Sequence, residues 1–124
     1  MENYSEKELN DALKFMSSTI MNCEKMQLKF APGVSQHTLL KNRIKALYIS
    51  KDLIAGSDNV KMYTKSDLEK ALPPVLSIIS KTKKAQIKYE EGTSQYRRFS
   101  PTIRAMIIAK DFLENEISKR GKLT

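Results

Sequence analysis

Slid along itself by 59 positions without a gap, the chain matches 17 of the 51 residue pairs formed between 4–54 and 63–113. Unrelated stretches of ordinary composition would match about three. The identities include Tyr4/Tyr63, Gln27/Gln86, Gly33/Gly92, Ser35/Ser94, Gln36/Gln95, Lys51/Lys110 and Asp52/Asp111. A chain of 124 residues that repeats itself in this way is read as a tandem duplication: unit one at 4–59 and unit two at 63–119, in a single domain,.

Each unit carries the pattern of two helices. Ser5 with Glu8, and Thr64 with Asp67, offer a hydroxyl N-cap and an acid three residues on, the pairing that satisfies the first orphan N–H groups of a helix,. Leu9, Ala12, Leu13, Met16, Ile20, Cys23 and Phe30 then recur at spacings of three and four, and Leu68, Ala71, Leu72, Val75, Ile79 and Tyr89 repeat the stripe,. The first helices are predicted over 5–28 and 65–88. Pro73 and Pro74 stand where the first copy has Lys14 and Phe15, so the second of these helices is expected to kink or split,.

Gly33 and Gly92 suit a left-handed turn, after which Ser35 and Ser94 are expected to cap the second helices, predicted over 36–55 and 95–119, with a restart or bend at Ser100-Pro101,. Lys45/Arg104 and Asp52/Asp111 fall on the polar side of those helices. Their apolar arc reaches round to Ile49 and Ile108, wide enough for a thick core or a homodimer face,. Ala55 to Tyr63 reads as a turn-rich linker,. Two hairpins that each expose one apolar face must bury those faces on each other. The expected fold is all-α, a four-helix bundle with an internal pseudo-two-fold axis.

Chemistry-bearing residues are scarce. One Cys and one His exclude a zinc site of clustered Cys and His and an internal disulfide framework,. There is no glycine-rich phosphate loop and no arguable catalytic set, so neither a catalytic residue, a metal site nor a cofactor is assigned, and a non-enzymatic protein is expected,. His37 reads as a surface residue and Cys23 as a small core filler,.

The polar residues kept in both units are the candidate sites. Gln27 and Gln86 lie on the apolar arcs, where an amide must find partners; with Ser35, Gln36, Ser94 and Gln95 they either clamp the interhelical turns or line a small-ligand pocket in each unit,. Lys51 and Lys110 also fall on the apolar arc, where an aliphatic stem can lie along the core edge while the ammonium reaches water,.

Charge divides the units unequally. Of the net +8, residues 1–59 carry +1 and residues 60–124 carry +7. A basic patch is expected at Lys81, Lys83, Lys84, Lys88, Arg97 and Arg98, with a basic tail at Lys119, Arg120 and Lys122,. Such a patch attracts acidic protein, nucleic acid or anionic lipid; the absence of a named nucleic-acid module or stacking platform makes nucleic acid the alternative reading. No stretch is long and apolar enough to cross a bilayer, and Glu2, Glu6 and Glu8 stand where a secretion signal would be basic and then apolar, so a cytoplasmic location is expected,. The function expected first is binding of a partner protein, with regulatory, adaptor and immunity-type roles all open.

Overall fold

The computed structural model describes residues 3–121. It contains α1 (Glu6–Gln27), α2 (Ser35–Ala55), a short 3-10 helix (Asp58–Met62), α3 (Lys65–Gln86), the single-turn α4 (Ser94–Arg97) and α5 (Ser100–Gly121), with no strand among the described residues. The described residues are thus all-helical in class, with four long helices.

The helix starts follow from local chemistry. Ser5 accepts from the Glu8 N–H while Glu8 accepts from the Ser5 N–H at 2.9 Å, and Thr64 and Asp67 form the same reciprocal box. These bonds hold the Glu8 and Asp67 carboxyls below their ordinary pKa range, with the Lys45 ammonium assisting at Asp67,. The second helices are capped one residue earlier than expected. Val34, which has no hydroxyl, is the N-cap of α2, and Thr93 caps α4 by accepting from the Tyr96 N–H. Ser35 and Ser94 are already inside the first turn, where each hydroxyl donates to the neighbouring Gln36 or Gln95 side chain, at 3.3 and 3.4 Å.

α3 runs unbroken through Pro73 and Pro74 rather than splitting there. The chain does break at Arg97–Ser100, ahead of Pro101, whose missing N–H is harmless in a first helical turn,. Gly33 (φ +94°) and Gly92 (φ +90°) take the left-handed conformation that reverses the chain after α1 and α3,. The linker between the units is more ordered than its composition implies, because Ser57 caps the 3-10 helix through the Asn59 N–H.

α1 packs on α2 and α5, α3 packs on α5 and α2, and α2 also meets α5 across the middle. The start of α1 lies beside the second half of α5, with the Tyr4 and Phe112 rings stacked at 6.4 Å, and Lys45 of α2 pairs with Asp67 near the start of α3. The four long helices therefore alternate in direction, which puts both interhelical turns at one end of the bundle and the linker at the other. Ala46, Ser50, Ala105 and Ala109 are small, buried, and spaced by four on α2 and α5, allowing these two helices to approach. Ile49 and Ile108 are each 1% exposed, so the part of the wide apolar arc that they extend is used inside the chain. Met16, Leu47, Leu68, Val75, Met106 and Leu113 complete a core that draws on every long helix,.

Candidate functional site

Two grooves run along the flanks of the bundle. The larger, of about 640 Å³, lies between α2 and α3; its floor is Ala46, Ile49 and Ala71 and its wall is Pro73, Pro74 and the half-exposed Leu39. Its rim carries the Lys45–Asp67 ion pair at 3.2 Å. The smaller, of about 420 Å³, lies between α1 and α5, on a floor of Ala105, Ile108 and Ala12. Glu8 and Arg104 stand at its rim where Asp67 and Lys45 stand in the larger, and the Arg104 charge helps hold the Glu8 carboxyl ionised. Moving each lining residue of the smaller groove by 59 positions lands on a lining residue of the larger. The chemistry differs at Asp11 against Lys70, Lys14 against Pro73, Phe15 against Pro74 and Pro101 against Asn42. These grooves were not legible beforehand, since they lie between helices that are not neighbours within one unit.

The paired glutamines sit under the turns. Gln27 Nε2 donates to the His37 carbonyl at 3.4 Å, and Gln86 Nε2 donates to the Tyr96 carbonyl at 3.0 Å and to Ser100 Oγ at 3.2 Å. Both amides tie the end of one helix to the start of the next. Gln86 is buried and Gln27 half-buried, a difference that tracks the extra bond to Ser100. A third recess of about 380 Å³ opens beside Gln86 and is lined by Tyr4, Tyr96, Ser100 and isoleucines of α5.

Asp52 and Asp111 correct the expectation that they face water. Both are half-buried. Asp52 accepts from the Tyr63 hydroxyl, and Asp111 accepts from the Tyr4 hydroxyl. In each case the phenol belongs to one unit and the carboxylate to the other. Burial first, and then the Asp52 carboxylate, pushes the Tyr63 phenol up to about 12,. A wheel drawn for α2 or α5 alone misses this, because the tyrosine precedes the helix that carries it across. The identity of both residues at the 59-residue offset was the available signal.

Lys51 and Lys110 lie at the core edge, half-buried, and Lys110 pairs with Glu114 one turn on at 3.1 Å, which raises its pKa. Arg120, read from sequence as part of a basic tail, is a structural clamp. Its guanidinium donates to the Val60 carbonyl at 2.8 Å, to the Tyr63 carbonyl, and to Glu116 at 3.0 Å, stitching the last turn of α5 to the linker. Lys122 lies outside the described residues.

Cys23 is buried, which raises its thiol pKa, and His37 is half-buried at the start of α2. Among the described residues no group of three or more His, Cys, Asp and Glu side chains is placed to hold a metal ion, and no helix is long and apolar enough to cross a membrane.

Lys81, Lys83, Lys84, Lys88, Arg97 and Arg98 are all exposed, as expected of a patch. They are gathered by position along the bundle as much as by unit. The turn-bearing parts of both hairpins, residues 21–43 and 78–99, hold ten basic and three acidic side chains, so +7 of the chain's +8 sits at that end.

No family model, curated protein or solved structure matches this chain.

Proposed function

We propose that the chain is a non-enzymatic, cytoplasmic binding protein, made by tandem duplication of one helical hairpin and bent at Pro73-Pro74, that takes an amphipathic helix of a partner protein into the groove between α2 and α3. The observation that carries the reading is the groove itself: an open trough with an apolar floor, a half-exposed leucine on its wall and a Lys–Asp pair on its rim. A helix presenting apolar anchors at spacings of three and four, with charge at its edges, is the complement of such a trough. Duplication is supported by the equivalent lining of the second groove and by the reciprocal phenol–carboxylate pairs that join the units. The small-ligand reading at the paired glutamines has less behind it, since both amide nitrogens are already engaged by the turns.

Photocrosslinking tests the proposal. A photoreactive residue at position 39, on the groove wall, is expected to trap a partner from native extract, whereas one at position 21, exposed on α1 and outside the groove lining, is expected not to. Equal trapping from both positions, or none from position 39, would reject it.

A further inference from the structure

Among the described residues the three most exposed large apolar side chains are Leu28 at 87%, Met62 at 81% and Ile87 at 76%, and of these Leu28 and Ile87 are equivalent at the 59-residue offset. Each is the C-cap residue of its helix, α1 or α3, in ordinary right-handed backbone conformation that any polar residue could adopt,. Neither contributes to the core, yet both units place a branched aliphatic there. Each also carries a lysine three residues before it and one residue after it: Lys25 and Lys29, Lys84 and Lys88. Because the helices alternate in direction, both tips stand at the same end of the bundle, the end that holds nearly all of the net positive charge.

We propose that this end docks onto the surface of an anionic lipid bilayer, with Leu28 and Ile87 entering the acyl boundary and the flanking lysines meeting the headgroup phosphates. Lysine stems lie along apolar surface while their ammonium groups stay at the polar level, which is the layering of a bilayer interface. The negative surface potential of a cytoplasmic leaflet attracts such a cluster, and the apolar tips add a second, independent contribution to binding. A nucleic-acid backbone would use the lysines but gain nothing from two aliphatic tips. A protein partner would require the tips to share one packed, shape-matched surface, whereas here they project from two separate turns, an arrangement a fluid interface accommodates. The proposal is independent of the groove reading, because the grooves lie along the flanks.

The chain contains no tryptophan, so one introduced tryptophan reports its own surroundings. Leu28→Trp and Ile87→Trp, measured separately with phosphatidylcholine vesicles that contain or lack phosphatidylglycerol, are expected to shift to shorter emission wavelength only with the anionic vesicles. Met62→Trp, at the linker end, is expected to keep its aqueous emission. The double variant Leu28→Ser, Ile87→Ser, whose changes are exposed and whose helicity is checked by circular dichroism, is expected to bind the anionic vesicles at least about tenfold more weakly. Absence of binding to anionic vesicles at low salt, tips that stay in water on binding, or unchanged affinity of the double variant would each overturn the proposal. Unchanged vesicle affinity together with displacement by duplex DNA would leave a phosphate-binding surface of another kind.

Discussion

The first hairpin and the second are drawn to the same plan and finished differently. Both begin in a reciprocal capping box, both reverse at a left-handed glycine, and both send a tyrosine to an aspartate of the other half. The second hairpin alone has prolines inside its first helix, a broken second helix, a threonine cap at the turn and an arginine that grips the linker. What the halves share is what closes a bundle. What they do not share lies on the flanks and at the ends, outside the packed core.

The sharpest way to break that comparison is at its most equivalent position. Ile49→Ala and Ile108→Ala each remove a side chain that is 1% exposed and are expected to cost about 2–5 kcal/mol, similar for the two variants, by urea unfolding,. A large inequality would mean that the two positions, though equivalent in sequence, are not packed alike.

Arg120→Ala comes next, because it strips a charged, half-buried group from two linker carbonyls. We expect a loss of about 1.5–3 kcal/mol, while Lys61→Ala at the equivalent position leaves the unfolding midpoint where it was,.

Replacing Pro73 and Pro74 with alanine returns two N–H donors to α3 and is expected to raise stability by about 1–3 kcal/mol in the same assay,. A decrease would show that Pro73 and Pro74 are needed for α3 to lie against both α2 and α5.

The phenol pair gives a pH test. Tyr63 loses its proton at about 12 in the folded chain and near 10 when unfolded, so over that interval the unfolded state binds fewer protons and stability falls as pH rises from 10 to 12,. Tyr63→Phe is expected to flatten that fall, and unfolding curves on either side of pH 10 would reveal it.

The smallest effect concerns the turn caps. Thr93→Val is expected to cost about 1 kcal/mol, and Val34→Thr, which gives the first hairpin the cap it lacks, to gain several tenths to 1 kcal/mol; thermal melts of the pair would sharpen how far the two turns are interchangeable,.

The apolar spacing and the cap residues make the helical class, the four long helices and both capping boxes readable in advance, because each depends on residues within a few positions of one another. Contacts made by residues distant in sequence were harder to see. Asp52 and Asp111 look like solvent-facing acids until a tyrosine from the other unit is laid over them, and Arg120 looks like a loose tail until the linker curls beneath it. Ser35 and Ser94 are of a type that caps helices, but the helices begin at them rather than after them, which puts Val34, with no side-chain cap bond, and Thr93 at the N-cap positions. The grooves and the charged end depend on which helices lie side by side and which way each runs, and a single-helix wheel holds no such information.

The alternating course of the helices leaves Tyr4, Gly121 and the 57–62 segment all at the end away from the glycine reversals. A circular permutant, joined across its old ends by a short flexible spacer and opened between Gly56 and Ser57, would carry the hairpins in exchanged order while keeping Ser57–Tyr63 with α3 and therefore within reach of Arg120. A permutant that folds to the same helical body would show that the order of the halves along the polypeptide is a matter of wiring.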